Sequence, residues 1–117
     1  MKFIYLIIMF HLFFSCTDKV EKKIVIKDFS KSFFDSVQPN KKMIKEGYVV
    51  YNVEIKGNVN DTIIVYFVNN KNYPTYLTGE INERYWEEYT GKLKKHLRIE
   101  PYKATKGILK IKYGLYK

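Results

Sequence analysis

Apolar residues recur at every second position over much of the chain after residue 16, which predicts strands. The clearest case is residues 46–56, EGYVVYNVEIK, where Val49, Tyr51, Val53 and Ile55 alternate with Asn52, Glu54 and Lys56. Successive strand side chains point to opposite faces, so this stretch has one buried and one wetter side. Residues 62–68, TIIVYFV, lack polar alternation and read as a central strand. The intervening Gly57-Asn58-Val59-Asn60-Asp61 reads as a turn, making the pair the best hairpin in the chain. Residues 108–115 predict a last strand, with Leu109, Ile111, Tyr113 and Leu115 inward and Lys110 and Lys112 toward water.

The other segments are weaker. Residues 24–29 predict a first strand, and residues 30–42 a connection plugged by Phe33 and Phe34, with Val37 bounding a short strand and a turn at Pro39-Asn40. Residues 69–76 form a loop around Pro74, and Leu77-Thr78 a short edge strand closed by Gly79. In residues 80–90, Ile81, Tyr85 and Tyr89 fall at i, i+4 and i+8, which predicts a short helix capped by Gly91. Trp86 lies beside that stripe. Strand resumes from His96 and stops at Pro101. The expectation is mainly β: a small antiparallel β-sandwich or barrel of five to seven strands with one short helix, α+β being the alternative.

The first sixteen residues follow another pattern. Lys2 precedes an apolar run over residues 3–14, broken only by Tyr5 and His11, and Ser15-Cys16 ends it. The run has the length of a signal-peptide core and falls short of the roughly 20 residues that span a bilayer. Phe13 and Phe14 stand where an ordinary secretory signal carries small residues. The Ser15-Cys16 ending resembles the lipobox of bacterial lipoproteins, in the looser form common in Bacteroidetes-like bacteria, although Phe13 occupies a place usually held by an aliphatic residue. The resemblance covers only these sixteen residues. It implies a signal peptide at 1–15, diacylglycerol on the Cys16 thiol, cleavage before it and acylation of the new amine. Residues 16–23 are then the acylated cysteine with a short tether, and residues 24–117 one small domain. Cys16 is the only cysteine, so no intramolecular disulfide is available, and lipidation consumes a thiol otherwise left free in an exported chain. Asp18 and Glu21, split by Lys19 and Val20, resemble an acid-rich surface-export tag poorly. The expected location is the outer membrane facing the periplasm, with the cell surface as alternative.

Charge sharpens this picture. The chain carries +9, and Lys2 is the only charge before Cys16, so the remainder carries +8. Such an excess suggests nucleic acid in a cytosolic protein. Export turns the expectation toward anionic headgroups or an acidic partner.

No motif for catalysis stands out. His96 is the only histidine after the signal, too few for a zinc site. The glycines are dispersed, with no phosphate loop, and Ser30, Ser32 and Ser36 sit in no nucleophile elbow. Glu83, Glu87 and Glu88 are acids without an evident cleft. No metal, no cofactor and no enzymatic activity are expected. Candidate binding residues are the aromatics Tyr73, Tyr76, Tyr85, Trp86, Tyr89 and Tyr102, which have the chemistry to stack on a peptide or sugar. Lys92, Lys94, Lys95, Arg98 and Lys103, extended by Lys106, Lys110 and Lys112, form a candidate basic patch. Asn60-Asp61-Thr62 matches an N-glycosylation pattern only by coincidence in such a protein, whereas Asp61-Thr62-Ile63 resembles the O-glycosylation acceptor triplet of Bacteroidetes-like periplasmic proteins, with Thr62 as acceptor. The expected function is a lipid-anchored binding or interaction module engaging a protein, peptide or envelope polymer. A structural lipoprotein without ligand and a small envelope enzyme or enzyme inhibitor are the competing readings.

Overall fold

A computed structural model describes residues 19–47, 49–68, 73–89 and 92–117. Its elements are β1 (Lys19–Ile26), β2 (Phe33–Val37), α1 (Lys41–Glu46), β3 (Val49–Tyr66), β4 (Thr75–Tyr89), β5 (Lys95–Glu100) and β6 (Gly107–Tyr116). All strand pairings are antiparallel. The path runs β1-β6-β3-β5-β2, with β4 along the other edge of β3. The fold is the mainly β, six-stranded, barrel-like arrangement that the alternation predicts.

β3 organises the sheet. Residues Val50 to Val59 pair with β6, and Ile64 to Tyr66 pair with β5, on the same edge of the strand. β4 follows the opposite edge through both halves. The first layer is therefore β1-β6-β3-β4, and the second is β4-β3-β5-β2. The anticipated turn at 57–61 does not exist; β3 continues through it as one 18-residue strand. Its glycine serves a different purpose. Gly57 has φ +150, and an added Cβ would lie 2.0 Å from the Ile108 carbonyl oxygen, so only glycine lets the strand twist so close to β6. The β4 register then shifts between Val59 and Ile63, an irregularity that bends the strand from one layer to the next.

Residues 80–90 are also corrected, because they lie almost entirely in strand β4 and not in a helix. A spacing of four is two strand periods as well as about one helical turn, so Ile81, Tyr85 and Tyr89 share a strand face equally well. The aromatic residues favour that choice. Leu77 and Thr78 are no separate edge strand but the start of β4. The one helix among the described residues is α1, which starts at the end of the connection expected over 30–42 and runs to Glu46, where the strand was expected to begin. The Asn40 side chain caps it by accepting from the Met43 amide at 2.9 Å, and Gly47 ends it at φ 77. Met43 is fully buried.

The expected tether at 16–23 is shorter than anticipated. Lys19 to Lys23 already pair with β6, while Cys16 lies outside the described residues. Val20, Ile24 and Ile26 pack against the core, and Lys22 in the same phase reaches out to Asp35 at 2.9 Å. Charges at alternating positions hid the first half of this strand, which the sequence predicted only from residue 24.

Val49, Tyr51, Val53 and Ile55 from the first layer meet Ile63, Val65, Leu97 and Ile99 from the second, all buried. The Tyr51 hydroxyl donates to the Phe67 carbonyl at 2.9 Å, and Tyr85 stacks on Phe67 at 5.0 Å. Two polar seams close the open sides. At one, Asp35 accepts from the Tyr113 hydroxyl and the Lys22 ammonium, with Phe33 edge-on to Tyr113 at 6.2 Å. Burial works to raise the Asp35 carboxyl, but these hydrogen bonds outweigh it and hold the group below its ordinary range. At the other, Lys95 pairs with Glu87 and lies 4.5 Å from the Tyr89 ring centroid. The Tyr85 hydroxyl donates to Glu87 at 2.8 Å. Burial and then the Glu87 charge push Tyr85 and Tyr89 up to about 12.

Two predictions follow from the seams. Tyr113→Phe removes a donor from a charged acceptor and is expected to lower unfolding stability by about 1.5–3 kcal/mol, whereas the more exposed Lys22→Ala costs under about 1 kcal/mol. Urea titration of the two variants measures the difference. In pH scans, the Asp35 and Glu87 contributions are complete above the unfolded carboxylate range of about 3.9–4.3 and fade as pH falls through the lower folded values. The tyrosine contributions are intact below the unfolded value of about 10 and are lost as pH rises through about 12. Thermal midpoints followed by circular dichroism should therefore fall at both extremes, with a plateau between them.

Candidate functional surfaces

The two layers turn two different outer faces to solvent. On the second layer, strand alternation points Phe34, Arg98 and Tyr66 outward in one cross-strand row. Glu100, Ile64 and Tyr76 form the next. Arg98 lies 5.5 Å from the Phe34 ring centroid, and His96 stacks on the same ring at 5.7 Å. Beyond Pro101 the chain turns sharply and places Tyr102 edge-on to Tyr76, 6.1 Å between centroids. Both rings are more than half exposed, at 58% and 57%. Lys103 sits 5.4 Å from the Tyr102 ring centroid.

Tyr102 is unusual in its backbone. Its φ is +54, and it is the only non-glycine with positive φ among the described residues. A bulky side chain in this left-handed region costs roughly 1–3 kcal/mol. The Lys103 amide donates to the Thr62 carbonyl at 3.0 Å, and the Ala104 amide to the Pro101 carbonyl at 2.8 Å. These bonds and buried Ala104 hold the strained turn in place. The ring they present is mostly in water, so its own burial does not explain the strain.

On the first layer the outer face is polar and mostly cationic. Lys23 stands opposite Lys112, and Lys110 opposite Lys56. Glu54 faces Lys112 on one side and Arg84 on the other. An open groove of about 340 Å³ runs between Lys23, Val25, Glu54, Lys56, Lys110 and Lys112. Asn52 is only 6% exposed here, and its side-chain oxygen accepts from Arg84 Nε at 2.9 Å. Tyr116 donates to Glu21 at 2.7 Å, which lowers the Glu21 carboxyl.

The anticipated aromatic cluster is thus divided. Tyr76 and Tyr102 meet. Tyr85 and Tyr89 face inward, in the seam with Glu87. Trp86, 57% exposed, lies on the first layer opposite Asn52. Tyr73 is exposed just before β4. The anticipated basic patch divides as well. Lys92 and Lys94 are exposed in the β4–β5 connection, Lys95 is held by Glu87, and Arg98 and Lys103 accompany the aromatic face. Lys110 and Lys112 join Lys23, Lys56 and Arg84, three cations that the sequence reading did not connect with them. Strand phase placed each one outward, but only the register of four strands brings them together. Phe34 was missed as a surface aromatic for the same reason.

Thr62 is half-buried in the β3 irregularity and not in a hairpin turn. The Asn60 side chain is occupied, donating to Thr105 Oγ1 and accepting from the Thr105 and Lys106 amides. Among the described residues no group of three His, Cys, Asp or Glu side chains is placed to hold a metal ion.

No protein-family model and no curated protein matches this chain. Among solved structures it is similar to a pilus-forming Bacillus endospore appendage, at 8% identity and TM-score 0.46 over 86% of this chain and 88% of the other. It is likewise similar to the Aeromonas hydrophila periplasmic inhibitor of g-type lysozyme, at 7% identity and TM-score 0.44 over 87% and 88%. A de novo designed double-stranded β-helix aligns at 15% identity and TM-score 0.39, over 83% and 96%. At such values the likenesses add nothing to the strand pairings above.

Proposed function

We propose that this chain is a lipid-anchored binding module of the bacterial cell envelope, tethered through Cys16, that engages a protein, a peptide or a stretch of envelope polymer through the outer face of its second layer. The observation that carries this reading is Tyr102. A strained backbone position presents an exposed aromatic ring beside a second exposed ring, with Lys103 and, on the same face, Arg98 at hand. Aromatic and arginine side chains are the groups most enriched at binding surfaces. Strain maintained where the side chain is not needed for packing is consistent with use by a ligand. Thr62 lies directly beneath this turn and accepts from Lys103; O-glycosylation there would border the same face.

Tyr102→Asn separates binding from folding. Asparagine tolerates the left-handed conformation and lacks the ring. The variant should retain the native thermal midpoint, or gain a few degrees, while its yield of partner crosslinked in intact envelopes falls at least about tenfold, the loss of a contact worth 1.4 kcal/mol or more. Undiminished crosslinking would remove this face from the function.

The anchor is tested separately. Full-length protein grown with an alkyne-bearing fatty acid should acquire the label, and Cys16→Ser should remain unlabelled with its leader attached.

A further inference from the structure

The cationic face of the first layer has no role in the binding reading above. Its arrangement is costly to the fold itself. Like charges directly opposite one another on neighbouring strands destabilise a sheet, and here two such pairs, Lys23–Lys112 and Lys110–Lys56, sit in adjacent rows. Glu54 compensates only in part, 3.7 Å from Lys112, and Lys23 approaches Glu21 at 3.9 Å. Lys56 and Lys110 have no carboxylate partner among the described residues. With Arg84 added, five cations surround Glu54, while Glu21, Glu80 and Glu88 stand at the margins of the same face. Val25, 55% exposed, is an apolar side chain on the floor of the same groove.

We propose that this face lies flat on the anionic lipid headgroups of the membrane that holds the protein, a proposal that rests on the Cys16 anchor. Chain length favours lipid over a soluble polyanion. Lys19 is the first residue of β1, and only Thr17 and Asp18 separate it from Cys16. Three Cα steps reach at most about 10 Å. β1 is the edge strand of this very layer and carries Lys19, Glu21, Lys23 and Val25 along its outer face. Lys23 lies about 13 Å further along the strand. A domain tied so closely has this face held near the headgroups without any long-range search. Lysine suits the task, because its ammonium reaches phosphate as a point charge while the stem covers apolar surface. The two outer faces belong to opposite layers, so docking the lysines would turn Tyr76 and Tyr102 away from the bilayer, toward a partner.

Acylated full-length protein reconstituted in vesicles tests this. An amine-acylating reagent is applied to protein in phosphatidylcholine vesicles and in vesicles containing phosphatidylglycerol, and lysine modification is read by mass spectrometry. Each cation near an anionic surface contributes about fivefold to association, so Lys56 and Lys110 should react at least about tenfold more slowly in the anionic vesicles. Lys103, on the other layer, should react equally in both. High salt should abolish the difference. The double variant Lys56→Glu/Lys110→Glu, both exposed positions, should stay vesicle-bound and folded by circular dichroism while Lys23 and Lys112 lose their composition-dependent protection. Equal reactivity of Lys56 and Lys110 in the two vesicle types overturns the proposal although the anchor stands. Protection by added polygalacturonate, with none from anionic lipid, overturns it in favour of a soluble polyanion. Protein that washes off both vesicle types removes the anchor, and this proposal with it.

Discussion

One strand has to serve two layers, and the rest of the fold follows from that. β3 gives its first half to a layer with β6 and β1 and its second half to a layer with β5 and β2, while β4 accompanies it throughout. The bend between the halves requires Gly57, where β6 backbone leaves no room for a Cβ. It also requires somewhere for the freed polar groups of the irregular stretch to go. The Asn60 amide donates to the Lys106 carbonyl and the Thr62 carbonyl accepts from the Lys103 amide, while the Asn60 side chain accepts from the Thr105 and Lys106 amides. The loop after β5 is thereby pinned to the bend. That pinning holds the strained turn at Tyr102 and its exposed ring in place.

Bending one sheet onto itself leaves two sides to close, and both are closed by charge. Asp35 draws in Tyr113 and Lys22; Glu87 draws in Tyr85 and Lys95. Each carboxylate is partly desolvated, which disfavours its charged form, and each keeps a lowered pKa because a lysine and a tyrosine hydroxyl donate to it. The seams are thus selective about partners in a way that an apolar seam is not, since losing one donor leaves a partly buried charge unsatisfied. This bears on function only by position. The seams lie at the sides, so the two outer faces remain free, one aromatic and one basic. On the proposed anchor the two faces would serve different ends, the basic one toward lipid and the aromatic one toward a partner.

Period-two alternation alone revealed the inner faces of β6 and of the first half of β3, and with them the mainly β class. Alternation is local and survives any strand order. The apolar run ending at Cys16 is equally local, and it carries the expectation of export without reference to a fold. Three features resisted such reading. The 80–90 segment satisfies the helical and strand periods together, and neighbouring β3 decides between them. Gly57 and its asparagines look like a turn, and only the close β6 backbone makes them a twist within a strand. β1 begins among lysines whose inward member, Lys22, has a partner thirteen residues away.

The surfaces show the same division more sharply. Outward phase at Lys110 and Lys112 was readable from neighbouring apolar residues, but their company was not. Lys23, Lys56 and Arg84 come from three other strands, and Phe34 meets Arg98 across a pairing far apart in the chain. By itself the sequence determined which side chains face in and which face out along β6 and the first half of β3, because that alternation depends on a residue's immediate neighbours. Tertiary structure alone decided which outward residues share a face, because that depends on strand register, and register is set by the packing of the whole core rather than by any one segment.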